Sequence, residues 1–187
     1  MCGIALVFHA NGQQPQRSCI EAMTRSLQHR GPDGQGVQVR GAAALGHTRL
    51  SIVDVAGGAQ PMCSADQRHS IVFNGEIYNY QSLRQELVAD GVHFHSQSDT
   101  EVILQLYRRE GAACLNKLRG MFSFAIHDAD DDSLFLARDR LGIKPLVYHW
   151  DGQTLLAASE IKALFASGLV EPQLNAASIR NYFTYQF

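Results

Sequence analysis

The sequence predicts an α+β layered fold with largely antiparallel sheets, and two observations carry that expectation. Short runs in which apolar residues alternate recur along the chain, in blocks separate from the segments of helical period. The later runs also follow one another through short turns, one acidic and one built on Asp151-Gly152. With 187 residues, 45% hydrophobic and 18% charged, the chain is long enough for one ordinary core. It shows no internal repeat, no low-complexity segment and no interdomain linker.

Alternation places strands over 4–8, 36–40, 42–46, 49–54 and 70–73. Between the first two, Ile20, Met23, Thr24 and Leu27 have the spacing of one helix face over 19–28. A second helix is expected over 79–89, with Leu83, Leu87 and Val88 on one side and Gly91 after its end. Ser98-Asp99-Thr100-Glu101 has the form of a capping box ahead of the apolar Val102, Ile103, Leu104 and Leu106, which puts Asp99 in a first helical turn. Strands return after Gly120 as MFSFAIHD and SLFLARD, then as LVYHW and TLLAAS. Ser159 is a candidate cap for a short helix EIKALFA ending at Gly168, and Asn175 for a helix running into IRNYF. The terminal YFTYQF carries aromatics that normally pack against something, so a longer protein is expected.

Composition narrows the function classes. The formal net charge is -2 and no Lys/Arg block exists, so nucleic acid is not an expected partner. No apolar run approaches the ~20 residues that span a bilayer, and the opening MCGIALVFHANG lacks the charged start of a secretory signal. Cys2, Cys19, Cys63 and Cys114 form no CxxC pair, which argues against zinc and a disulfide framework and favours reduced thiols in a cytoplasmic protein. His93 and His95 would share a strand face but have no third ligand nearby. Asp128, Asp130, Asp131 and Asp132 lack the glycine and distal Glu of a calcium loop and read as a solvated hairpin tip. No metal is assigned.

Cys2 follows the initiator Met directly. Removal of Met1 would leave one residue with a thiol and a free α-amine, and α-amines titrate near enough to neutrality to accept a proton. Nucleophile and base would then share one residue. On position alone, a small residue beside a start codon is the better explanation of Cys2.

The surrounding strings change that balance. They are Cys2-Gly3-Ile4, Arg30-Gly31-Pro32-Asp33-Gly34, His47-Thr48-Arg49-Leu50-Ser51-Ile52-Val53-Asp54, Gln60-Pro61 and Phe73-Asn74-Gly75-Glu76-Ile77-Tyr78-Asn79. Ser98-Asp99-Thr100-Glu101, Gly120-Met121-Phe122 and the run from Arg138 to Leu146 follow. In this order they resemble the asparagine synthetase branch of the class II glutamine amidotransferases, within the N-terminal nucleophile hydrolase superfamily. The resemblance implies a four-layer αββα sandwich of two mainly antiparallel sheets. It also implies a glutaminase domain over 1–187 that leads into a synthetase domain outside this chain.

The resemblance further implies roles. Cys2 would attack the side-chain amide of L-glutamine, and Asn74 with Gly75 would form the oxyanion hole. Arg49 would hold the α-carboxylate by paired hydrogen bonds, and Asp99 with Glu76 the α-ammonium. Leu50, Ile52 and Val53 would line the substrate. A first-turn position would also stabilise Asp99 as an anion. His29 takes no role, and Arg30 would help order a loop over 30–36 that closes on glutamine. This half needs no cofactor; ATP and Mg belong to the synthetase domain, whose SGGxDS string does not occur here. A homodimer stays open. So do two other functions: an amidotransferase with a different ammonia acceptor, and a silent domain kept for regulation or interaction.

Overall fold

The computed structural model describes residues 1–51, 54 and 57–186. Two antiparallel sheets lie face to face. The first has the order β2-β3-β1-β9-β8, from β1 (Gly3–His9), β2 (Gly34–Arg40), β3 (Ala43–Arg49), β8 (Val147–Trp150) and β9 (Thr154–Ala158). The second has the order β4-β5-β6-β7, from β4 (Met62–Cys63), β5 (His69–Ile77), β6 (Gly120–Asp128) and β7 (Ser133–Arg138). Helices α1 (Arg17–Ser26) and α4 (Ile161–Ala166) cover the outer face of the first sheet. Helices α2 (Tyr80–Ala89) and α3 (Asp99–Glu110) cover the second, giving the expected αββα layering.

The pleat explains the layers. Along β1, Ala5 and Val7 face α1, where they meet Ile20, Met23 and Leu27. Ile4 and Leu6 face the other way and meet Leu45, Val72, Ala125 and Ala157 between the sheets. On the second sheet Ile71, Phe73, Phe122, Phe124 and Ile126 face Leu83, Leu87, Val102 and Leu106 of the helices. The expected face of α1 is buried as a set: Ile20, Met23, Thr24 and Leu27 are each at most 1% exposed.

Several expectations are corrected. Among the described residues of the strand expected over 49–54, only Arg49 belongs to one: the ladder between β2 and β3 ends at Gly34 and Arg49. Beyond it Ser51 N–H donates to the Asp33 carboxylate, and Asp54 adopts φ 45°, which an extended strand cannot contain. The strand expected over 70–73 runs on to Ile77, so Asn74 and Gly75 lie inside β5, opposite Ser123 and Phe122. Val88 is exposed, away from the buried Leu83 and Leu87. Ser98 does cap α3, accepting from Thr100 N–H, but Glu101 reaches past it to His95 N–H and Ser96 N–H. Ser159 does not cap α4; its hydroxyl accepts from Ile4 N–H and ties β1 to the end of β9. His93 and His95 are exposed and outside any strand, so they share no strand face. The acidic hairpin tip is more than solvated: Asp128 is buried against Arg68, and Asp132 accepts from Ala42 N–H and meets His127.

The remaining helix, α5 (Ala176–Tyr185), is capped by Asn175 as expected and buries none of its residues. No described helix is long and apolar enough to cross a membrane.

Candidate active site

A cavity of about 180 Å³ opens where four chain segments converge at one end of the sandwich. Its lining includes Cys2 at the start of β1, Arg49 and Leu50 at the end of β3, Asn74, Gly75 and Glu76 in β5, and Asp99 at the start of α3. Every expected site residue within the described part of the chain is therefore in one place. Ile52 and Val53 lie outside the described residues.

Antiparallel register brings the first pair together. Gly3 pairs with Thr48, so Cys2 and Arg49 lie one residue beyond, across neighbouring strands. Leu50 then turns its N–H onto the Cys2 sulfur, at 3.4 Å, and the thiol lies 3.7 Å from the Leu50 carbonyl oxygen. Leu50 thus contributes backbone groups as well as lining. Arg49 Nη2 donates to the Asp54 carbonyl at 2.6 Å, which fixes the direction of its guanidinium. Asp54 in turn is anchored through its carboxylate by the N–H groups of Gln97 and Gly57, which hold its carboxyl below the usual range.

Asn74 is 1% exposed, and its Nδ2 is buried without a hydrogen-bond partner. Such a group costs stability unless something in the cavity accepts from it. At Gly75 an added Cβ would lie 2.2 Å from the Met121 carbonyl oxygen, so only glycine keeps β5 this close to β6. Asp99 is 5% exposed and accepts from Ile77 N–H at 3.1 Å, joining α3 to the end of β5. Burial raises its pKa, and the N–H groups of Ile77, Thr100 and Asp99 itself offset this only in part, while the Glu76 charge adds to the rise. The first helical turn thus favours the anion as expected, through the Thr100 and Asp99 N–H groups, but burial outweighs it.

The segment over 30–36 is pinned. Asp33 N–H donates to the Arg49 carbonyl, and residues 34–36 already belong to β2. Arg30 donates from Nε to the Cys2 carbonyl and from Nη1 to Glu160, which His29 also contacts from an exposed position. Burial would raise the Glu160 pKa, but hydrogen bonds from Arg30, His29 and Lys162 bring it down to about 2.

Other lining residues had been quoted only as parts of strings. Gln60, Thr100 and Met121 line the cavity, as do Met1 and the buried Lys144, whose Nζ lies 3.2 Å from the Met1 sulfur. Asp139 holds the Lys144 loop by accepting the N–H groups of Phe122, Leu141, Ile143 and Lys144. Gln60 and Lys144 reach the cavity from loops, which carry no periodic signal, whereas Thr100 and Met121 stand at the starts of α3 and β6.

Comparison with known proteins agrees with this geometry. The glutamine amidotransferase domain model matches residues 1–187. The chain is 41% identical over 190 residues to asparagine synthetase [glutamine-hydrolyzing] 1 of Bacillus subtilis, covering 100% of the chain and 30% of that protein. It is 45% identical over 168 residues to asparagine synthetase B [glutamine-hydrolyzing] of Escherichia coli, covering 88% of the chain and 30% of that protein. The chain thus spans under a third of the length of these relatives. The solved structure of glutamine phosphoribosylpyrophosphate amidotransferase from B. subtilis superposes with a TM-score of 0.74 at 24% identity, over 89% of this chain and 44% of that one, and so shares the fold. With Cys2 and the unsatisfied Asn74 lining one cavity, and one family model matching it end to end, this chain is a member of the glutamine amidotransferase domain family.

Proposed function

We propose that the chain hydrolyses the side-chain amide of L-glutamine, and that the ammonia serves ATP-dependent asparagine synthesis from aspartate in a longer protein. One observation carries the hydrolytic part: Asn74, whose Nδ2 is unpartnered, lines the same cavity as Cys2. A donor left unsatisfied beside a nucleophile is what an oxyanion site needs before substrate arrives.

In this reading Met1 is removed first, freeing the Cys2 amine. The sulfur attacks the amide carbon as the amine takes the thiol proton, and the carbonyl oxygen becomes an oxyanion held by Asn74 Nδ2–H and Gly75 N–H. Collapse breaks the C–N bond, and the Cys2 ammonium gives its proton to the departing ammonia. Water then attacks the thioester, releasing glutamate and restoring the thiol. Arg49 holds the α-carboxylate, and Asp99 with Glu76 the α-ammonium. The pinned 30–36 segment supports a fixed wall behind Cys2 in place of a large closing motion.

Asparagine as the product is supported by the names of the two relatives and by the share of their length that lies outside this chain. ATP and Mg are assigned to that outside portion, which is the proposed partner of this domain. The four cysteines are unpaired, which supports a cytoplasmic setting.

The test is glutamate release from L-glutamine by the purified chain, with intact mass to read the N-terminus. Release should vanish in Cys2→Ala and fall about 10²–10³-fold in Asn74→Ala. Undiminished release by Cys2→Ala would overturn the mechanism.

A further inference from the structure

We infer that Gln60 and His47 form a side-chain clamp on the free edge of β5 and act as positioning residues for the Asn74–Gly75 oxyanion donors. This rests on the glutaminase reading and extends it to residues that do not touch the reacting atoms.

One edge of β5 is paired with β6 along all nine of its residues, from His69 with Asp128 to Ile77 with Gly120. Among the described residues, the other edge meets only β4, at Ser70 and Ile71. Past Ile71 no described strand pairs with that edge, although the backbone there is buried and its polar groups need partners. At Phe73, 3% exposed, two side chains supply them. Phe73 N–H donates to Gln60 Oε1 at 2.6 Å, and the Phe73 carbonyl lies 3.2 Å from His47 Nε2. One residue thus has both backbone groups engaged, as in an antiparallel hydrogen-bonded pair, without a neighbouring strand.

The two side chains also tie Phe73 to the rest of the site. His47 belongs to β3 and pairs with Ile4 of β1, so it reaches across the layer between the sheets from the strands that carry Cys2 and Arg49. Gln60 Nε2 donates onward to Thr100 Oγ1 at 3.2 Å, beside Asp99 on α3. Nucleophile, oxyanion strand and ammonium-binding helix are thereby referenced to the Phe73 peptide, whose carbonyl is bonded to the nitrogen of Asn74. Burial, with the Arg49 charge adding to it and the Phe73 carbonyl opposing, lowers the His47 pKa to about 4, so the ring is neutral at pH 7. Its single N–H then belongs on Nε2 to serve the carbonyl. Misplacing catalytic groups by about 1 Å costs on the order of 10² in rate, so releasing this edge should register in kcat.

The test measures kcat and KM for glutamine in Gln60→Leu and His47→Leu, beside His47→Gln, which keeps a donor near the Nε2 position. Thermal melts confirm folding. A second readout is inhibition by the aldehyde isostere of glutamine, whose thiol adduct places an oxyanion in the same site. Both leucine variants should lose about 10–10²-fold in kcat and a matching factor in aldehyde affinity. Affinity for L-glutamate, which rests on Arg49, Asp99 and Glu76 and not on the oxyanion donors, should move less than about threefold, and His47→Gln should recover most of kcat. Where His47→Leu does not fold, Gln60→Leu carries the test. Folded variants with unchanged kcat and aldehyde affinity would overturn the clamp while leaving the glutaminase reading intact. No release by wild-type protein with a processed N-terminus would overturn both.

Discussion

At the scale of single residues, the two charges proposed to hold the ends of the substrate behave differently. Arg49 is aimed by a backbone carbonyl, so Arg49→Lys keeps the charge but loses the planar fork that matches a carboxylate. KM for glutamine should rise by about 10-fold or more with a smaller change in kcat, as steady-state kinetics would show; an unchanged KM would remove Arg49 from the substrate. Asp99 is an acid whose pKa burial has raised, and a substrate ammonium favours its charged form. As pH falls, the protonated fraction of Asp99 grows above the ordinary aspartate range, and glutamine binding should weaken there. Asp99→Asn should raise KM at neutral pH and flatten that acid limb. A persistent limb in the variant would assign it to another group.

Elements set where these residues stand. Helix α1 lies close on the first sheet because Gly46 of β3 has no side chain: a Cβ there would come 2.0 Å from Thr24 Oγ1 and 3.3 Å from Ile20 Cδ1. Gly46→Ala should push the helix outward and cost about 1–3 kcal/mol, read as a lower Tm. Because the cavity lies on the far side of that sheet end, glutamine kinetics well below the melt should stay close to wild type. The legible elements were those whose apolar period is long and whose caps are local, such as α1 and the Asn175-capped α5. The failures had local causes of another kind. The alternation over 49–54 reads as a strand, but hydrogen bonds from Leu50 and Ser51 to Cys2 and Asp33 take these two residues off the sheet. The alternation over 70–73 stops short of Asn74-Gly75, which only the pairing of β5 with β6 makes part of the strand.

For the whole molecule, the layer between the two sheets also sets the response to acid. His47 is 1% exposed there, and burial lowers its pKa from 6.5 to about 4. Below pH 6.5 the unfolded chain binds a proton that the folded chain refuses, so stability is complete above that pH. It should be lost as pH falls toward about 4, with no further loss from this group below. The shift corresponds to about 3 kcal/mol. Chemical denaturation of wild type and His47→Gln across this range should show a shallower fall in the variant. Parallel curves would place the acid sensitivity elsewhere.

The sequence by itself determined the family, the αββα architecture and the identity of the chemical groups, because ordered strings such as Phe73-Asn74-Gly75-Glu76 preserve chemistry that local periodicity cannot encode. It also placed Asp99 in a first helical turn, since capping depends on residues only a few positions apart. Only the tertiary structure decided that burial outweighs that helical turn in the titration of Asp99, and that Ser159 serves Ile4 rather than its own helix. The placing of His47 and Gln60 on the two sides of the Phe73 peptide belongs there too. Each depends on a neighbour supplied by a distant segment, and no pattern along the chain states which distant group will fill an unpaired backbone position.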